Sequence, residues 1–209
     1  MINKVLHIFL FLFIIQLGYS QKITEKSWDS GEIQKLWIES NVVSMIRIIS
    51  EDTTLISLTA RMEGEYSEQV LVTTREENGT LSLQTDFTPF FKQPNDKLAA
   101  HKVFSVEFDL VIPKDLEVVI SSEGASLETS GEIRSIKVVL AKGNCSFKDF
   151  LGNAEVFTEA GNIEVFAQDQ VKGIAESQNG TVKNDLLSTA KYMVEARSVN
   201  GDIRLLKSQ

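Results

Sequence analysis

The chain has few of the residues that build most enzyme and metal sites. Its 209 residues include one cysteine, two histidines and three prolines. Cys145 alone cannot form an internal disulfide, and with His101 as the only histidine outside the N-terminal leader, no zinc cluster of the usual kind can form. No phosphate-cradling glycine motif and no nucleophile elbow occurs. The sequence therefore predicts no catalytic residue, no cofactor and no metal site.

The first residues have the pattern of an export signal. Lys4 precedes an apolar run over residues 5–15, which has secretory-signal length and is short for a membrane span. Gly18 and Ser20 place small residues at the −3 and −1 positions of a cleavage site before Gln21. We expect residues 1–20 to be a signal peptide and the protein to be exported to the periplasm or cell surface. The alternative is an uncleaved N-terminal anchor; after cleavage no transmembrane anchoring is expected.

Acidic residues outnumber basic ones. The chain has 29 Asp and Glu against 21 Lys and Arg, a net charge of −8 at pH 7. Such a surface repels phosphate backbones, which argues against nucleic-acid binding. Acidic pairs in turns, such as Glu51-Asp52, lack the spacing of a calcium loop, and we interpret them as solvated. An envelope protein and a glycan both remain candidate partners, and the oligomeric state stays open.

One phrase recurs in the C-terminal half: alternating strand residues, a small turn pair, then further alternation. Its glycines are separated by 19, 18, 19 and 21 residues, a near-constant period typical of stacked supersecondary units. The predicted structural turns are Gly79, Gly124, Gly143, Gly161, Gly180 and Gly201. We expect glycine there because a sharp corner requires a positive φ.

The residues that follow each turn predict apolar ladders. Period-two alternation places the second residue after the glycine on the buried face: Cys145, Ile163, Val182 and Ile203. Cys145 is therefore interpreted as a small core residue and not as a nucleophile. Asn184 interrupts the next ladder position, and Gly124 fits the pattern poorly because Ser126 follows it by two.

These features predict an all-β fold. The constant period favours a single-stranded β-helix, or β-solenoid, with coils of about 18–21 residues over residues 116–209. Residues 21–115 form a β-rich but less regular N-terminal half, either earlier coils or a small sandwich, expected to continue into the same domain. Asn-Gly turns between alternating runs favour the alternative, an antiparallel β-sandwich.

Residues 86–102 interrupt this pattern as an insertion. They contain two of the three prolines, the aromatic pair Phe90 and Phe91, and a possible short helix that begins after Asp96. One interpretation is a cap that packs its aromatic side chains over an open end of the β-structure. The other is a contact loop in which Phe90 and Phe91 bind a partner. His101 is expected to be a solvated or capping residue.

The chain from residue 105 to 206 resembles a known family. The phrase VIPKDLEV at residues 111–118, followed by GNIEV from Gly161 and GDIRL from Gly201, resembles the DUF4097/DUF2807-type putative adhesin domains of bacterial cell envelopes. The GYSQ ending of the leader also looks like that of exported Bacteroidetes proteins. The resemblance implies a β-helix-like solenoid, export and no known catalysis.

Three functions are consistent with the sequence. The first is a non-enzymatic, exported cell-envelope protein, an adhesin-like β-solenoid for binding or scaffolding. The second is a polysaccharide-active β-helix enzyme, for which Glu164, Lys183 and Arg204 would stack on the solvent face of successive coils. The third is a regulatory or structural envelope partner that acts through the loop at residues 86–102.

Overall fold

The computed structural model describes residues 21–64, 66–89, 91 and 105–208. Fifteen strands follow one another in chain order. They are β1 (Lys22–Asp29), β2 (Lys35–Ser40), β3 (Met45–Glu51), β4 (Leu55–Glu63), β5 (Val70–Glu77), β6 (Thr80–Phe87), β7 (Ser105–Pro113), β8 (Glu117–Ser122), β9 (Ser126–Lys142), β10 (Cys145–Ala160), β11 (Ile163–Ala167), β12 (Val171–Ser177), β13 (Val182–Asn184), β14 (Tyr192–Asn200) and β15 (Ile203–Lys207).

The predicted all-β class is confirmed. Within the described ranges the only helical element is a single 3-10 turn, Ser67–Gln69, between β4 and β5. No helix in this part of the chain has the length and apolar character needed to cross a bilayer. The strands belong to one continuous sheet that curls into a half-barrel.

The sheet contains two runs of strands that share β9 and β10. Run I has the order β1-β4-β7-β3-β9-β10-β11-β15-β13. Run II has the order β5-β6-β2-β8-β9-β10-β14-β12. Both long strands serve the two runs because their first halves pair in run I and their second halves in run II. Residues that face inward from both runs form one apolar core.

Most neighbouring strands are parallel. Antiparallel pairing is confined, among the described strands, to β1 with β4, β4 with β7, and β5 with β6. The β5–β6 hairpin closes through Asn78 and Gly79, whose φ angles of 49° and 71° are both positive, as the tightest hairpin turns require. The Asn-Gly signal thus builds a hairpin at this end only, while later turns join strands that pair in parallel with other units.

The units do not stack in chain order, contrary to our expectation of successive coils. The last two strands of the chain are inserted between earlier ones: β15 lies between β11 and β13, and β14 lies between β10 and β12. Ile203 and Leu205 are fully buried, whereas Val182 is 45 % exposed and Asn184 is also exposed. A unit with two large apolar ladder residues is stabilised more by a strand on each side than a unit with only one, because more apolar surface is buried. The unit carrying Asn184 therefore lies at the end.

The apolar ladder itself is present, with a corrected alignment. Leu127 pairs with Cys145, and Cys145 with Ile163, each 18 residues apart. Leu127 and not Ser126 therefore occupies the ladder, so Ala125 and not Gly124 is the equivalent of Gly143. Val182 pairs with Ile203 but is exposed because no strand covers it.

The turn glycines are explained mainly by close approach of stacked turns. A Cβ at Gly161 would meet the carbonyl of Gly143, one at Gly201 would meet Gly161, and one at Gly180 would meet Gly201. Our expectation of positive φ is wrong for Gly161, Gly180, Gly201 and Gly124, since only Gly79 and Gly143 of the six have it. A side chain at Gly161, Gly180 or Gly201 would force the stacked turns apart.

Side-chain oxygens hold the same turns together from outside. Asn144 Oδ1 accepts the N–H of Asn162 at 2.8 Å, and Asn162 Oδ1 accepts the N–H of Asp202 at 2.8 Å. Asp202 Oδ1 in turn accepts the N–H and the hydroxyl of Thr181, both at 2.8 Å. Each turn therefore satisfies a backbone donor of its neighbour that no strand can reach.

Gly161→Ala should destabilise the protein by more than about 2 kcal/mol, because the new methyl group overlaps backbone that cannot move without separating two turns. Gly124→Ala is the matched control: nothing lies within 4 Å of its Cβ position, and we expect a change within about 0.5 kcal/mol. Denaturant unfolding of both variants measures the difference. Equal stability of the two variants would contradict the close-packed column.

The hydrogen bonds between the stacked turns also predict a pH effect on stability. Hydrogen bonds from the Thr181 backbone and hydroxyl lower the pKa of Asp202 below its ordinary 3.8. The stabilisation is present above that ordinary value and is lost as pH falls through the lowered pKa. The Asp202→Asn variant keeps an accepting oxygen, as Asn144 and Asn162 do, but has no carboxyl group to titrate. Between pH 7 and pH 3 the melting temperature of this variant should therefore fall less than that of the wild type. Asp169→Asn, outside the corner, should behave like the wild type; an unchanged acid response in Asp202→Asn would contradict the assignment.

Candidate functional site

The solvent face of run I carries several ion pairs. Arg47 on β3 reaches Glu107 at 2.8 Å and Asp109 at 3.3 Å on β7, and Arg61 on β4 also pairs with Asp109. The hydrogen bond to Glu107 is the main cause that raises the pKa of Arg47. Such half-exposed pairs hold neighbouring strands in register but contribute little stability individually. The charged groups Arg47, Arg61, Glu107 and Asp109 on this face are thus paired with one another.

The three candidate residues of the polysaccharide-enzyme hypothesis lie on this same face and are brought together. Arg204 lies between Glu164 and Lys183 in the strand order, not after them. Arg204 donates to Glu164, and Lys183 pairs with Asp185 at 3.0 Å. All three side chains are thus engaged in exposed ion pairs, which is the arrangement expected of surface pairing.

Cys145 occupies the core position predicted for it. Its side chain is 1 % exposed, and burial raises the pKa of the thiol to about 12. A thiol in this state stays protonated at neutral pH and is a poor nucleophile. Among the described residues, no group of three or more His, Cys, Asp or Glu is placed to hold a metal ion.

The predicted contact loop is described only in part. Phe91 packs its ring 5.2 Å from that of Tyr66 and 5.1 Å from that of Phe87, between ring centroids. Its backbone N–H donates to Thr88 at 3.1 Å. These contacts are those of a packed cap at the β5–β6 end. Phe90, Asp96 and His101 lie outside the described residues.

The solvent face of run II differs, because an apolar stripe crosses it. We call Trp37, Val119, Val139 and Phe157 the Trp37 stripe. Trp37 on β2 pairs directly with Val119 on β8, and Val139 on β9 with Phe157 on β10. Val119 and Val139 are diagonal neighbours, so the four side chains form one line over four strands. Trp37 is 43 % and Val139 41 % exposed, and the other two are half-buried.

Charged pairs flank the Trp37 stripe. Lys35 pairs with Glu117 at 2.9 Å, and Lys137 with Glu155 at 3.0 Å. Arg197 pairs with Glu195 on β14. A shallow cavity of about 250 Å³ lies beside Phe157 at this end; besides Val139 and Phe157 it is lined by Lys137, Glu155, Glu195 and Arg197. The stripe thus combines exposed apolar surface with hydrogen-bonding groups on its rim.

The Trp37 stripe was not predicted from the sequence, although a signal for it exists. In KLWIES, alternation places Leu36 and Ile38 on the buried face and Trp37 on the solvent face. A tryptophan on a polar face is unusual in itself. Its alignment with Val119, Val139 and Phe157 could not be read from the sequence, because β2 is inserted between β6 and β8.

Several solved structures of bacterial proteins are similar to this chain. A structure described as a "putative cell adhesion protein" from Clostridium sporogenes has a TM-score of 0.62 at 16 % identity, covering 90 % of this chain and 100 % of that one. A "putative adhesin" from Bacteroides fragilis has 13 % identity and a TM-score of 0.33, covering 90 % and 98 %. A "putative lipid binding protein" from Parabacteroides distasonis has 10 % identity and a TM-score of 0.28, covering 87 % and 96 %.

Only the first of these likenesses is close enough to show a common fold, and at this identity it shows the fold alone. No protein-family model and no curated protein matches the chain. The resemblance of residues 105–206 to the DUF4097/DUF2807 type therefore has no support from a family model.

Native Cys145 should resist thiol reagents at pH 8 and react fully only after unfolding, because its thiol is buried and protonated. Cys145→Val should preserve stability within about 1.5 kcal/mol, since the ladder neighbours are Leu127 and Ile163. Cys145→Ser should cost more, because it buries a hydroxyl in an apolar ladder. Rapid labelling of the folded protein would contradict the core assignment.

Proposed function

We propose that this protein is a non-enzymatic, exported envelope protein that binds a partner through the solvent face of run II. The observation that carries the proposal is the Trp37 stripe. Exposed tryptophan in line with other apolar side chains, and rimmed by polar groups, is typical of a recognition surface. Among the described residues of run I, the solvent face combines ion pairs with separate exposed apolar residues such as Ile49, and no tryptophan is among the exposed ones.

The proposed architecture is a β-solenoid in which the turns stack in a column. Supporting it are the parallel pairs with an 18-residue offset, Leu127 with Cys145 and Cys145 with Ile163. The glycine column and the side-chain ladder at the corner also repeat with the units. The antiparallel pairs β1–β4, β4–β7 and β5–β6 would then close one end of the stack.

Export and an adhesin-like role are part of the same proposal. The leader pattern of residues 1–20 supports export, and the fold shared with the Clostridium sporogenes structure, described as a "putative cell adhesion protein", supports an envelope role. A rigid, elongated β-structure suits this task because it presents side chains at fixed spacing. The periplasm and the cell surface remain the two candidate locations.

Co-sedimentation with the envelope fraction of the source bacterium tests this function. The purified protein should pellet with that fraction. The double variant Trp37→Ala/Val139→Ser, the stripe variant, should have an apparent affinity about tenfold lower or more, which is the effect of removing an interface hot spot. Ile49→Ala is the matched control, since Ile49 is 46 % exposed but lies on run I.

Equal sedimentation of the stripe variant and the wild type would contradict the proposed surface. The unfolding midpoint of each variant is measured as well, and sedimentation is compared under conditions in which all variants are folded.

A further inference from the structure

We infer that the Trp37 stripe binds an uncharged glycan chain that lies across the strands of run II. This inference rests on the proposed function and names the class of its ligand. Three features of the surface carry it: its dimensions, its charge balance and the chemistry of its side chains.

The dimensions fit a narrow, extended ligand. The stripe runs over the four adjacent strands β2, β8, β9 and β10, which spans about 14 Å at the usual strand spacing. Two of its side chains are half-buried, so the exposed apolar area is below about 500 Å², even with about 150–250 Å² for each aromatic residue. A stable protein partner requires about 800 Å² on each side. The stripe covers only part of such an area, so a protein partner would also have to cover the paired charges on its rim, whereas a polymer of small cross-section can be bound by the stripe and its immediate rim alone.

The charge balance favours an uncharged ligand. The basic groups beside the stripe are each neutralised by an acidic neighbour: Lys35 by Glu117, Lys137 by Glu155, and Arg197 by Glu195. Glu39 accepts a hydrogen bond from Gln84 at 3.2 Å and has no basic partner among the described salt bridges. With a net charge of −8 on the whole chain, the field at this face opposes anionic polymers.

The side-chain chemistry matches the two surfaces of a sugar ring. A pyranose presents C–H groups on its ring faces and hydroxyl groups around its edge. The indole of Trp37 and the ring of Phe157 offer large apolar contacts at the two ends of the stripe. On the rim, Lys137 offers a charged donor and Glu155 and Glu39 offer charged acceptors, which form stronger hydrogen bonds to hydroxyls than neutral groups do. Val119 and Val139 fill the space between the two aromatic positions.

The test uses the same envelope co-sedimentation with chemically treated fractions. Periodate cleaves the vicinal diols of sugars and leaves polypeptide chains intact, whereas a protease does the reverse. We expect periodate to reduce Trp37-dependent sedimentation about tenfold or more, and protease treatment to leave it unchanged. Because the ligand is uncharged, sedimentation should also persist from low salt to about 0.5 M salt, where exposed charge interactions are screened.

A direct probe identifies the site. Electrophoretic migration of the protein is compared in gels containing the neutral polysaccharide fraction released from the same envelopes, and in gels without it. The wild type and Ile49→Ala should be retarded, Trp37→Ala should not, and Trp37→Phe should recover part of the retardation because an aromatic face is restored.

The outcomes separate this inference from the proposed function. If protease removes Trp37-dependent sedimentation and periodate does not, the glycan inference is wrong while the binding function stands. Loss of binding at high salt would likewise overturn the uncharged ligand. Retardation that persists in Trp37→Ala would move the glycan site away from the stripe. Absence of any Trp37-dependent sedimentation would overturn both proposals.

Discussion

The structure depends on how closely one turn can lie on the next. Parallel strands pair only if their turns also stack within the strand spacing of about 4.8 Å. At the corner the backbone is so close that Gly161, Gly180 and Gly201 leave no room for a Cβ. The acceptor ladder of Asn144, Asn162 and Asp202 then supplies partners for turn N–H groups. Glycine permits the approach, and the side-chain oxygens make it favourable.

Because every unit offers the same corner, chain order does not decide which units are neighbours. The apolar character of the ladder residues in each unit decides which units are neighbours. Ile203 and Leu205 require cover on both sides, and Asn184 tolerates an end position, where its amide donates to the Gly173 carbonyl at 2.8 Å. At the other end of the molecule, β2 and β3 are likewise inserted between strands that come later in the chain. Equivalent corners make such insertions possible, and hydrophobic burial selects among them.

The sequence was sufficient for the repeated corner and its buried ladder, and insufficient for the arrangement of units. The positions of Cys145, Ile163 and Ile203 follow from period-two alternation, which is a local property. The role of the glycines was misjudged, because positive φ is a property of one residue whereas close approach depends on a neighbour about 20 or 40 residues away. The exchange of Lys183 and Arg204 in the strand order has the same cause.

The candidate site was out of reach for a related reason. A binding stripe on a sheet is a relation between strands, and its members Trp37 and Phe157 are distant in the chain. The repeating corner nevertheless explains why such a stripe can exist. Because the turns and the inward side chains supply most of the stability, the outward side chains can vary without loss of the fold. Run I uses this freedom for ion pairs, which stabilise little at an exposed surface. Run II uses it for exposed apolar groups, which cost solvation unless a ligand covers them.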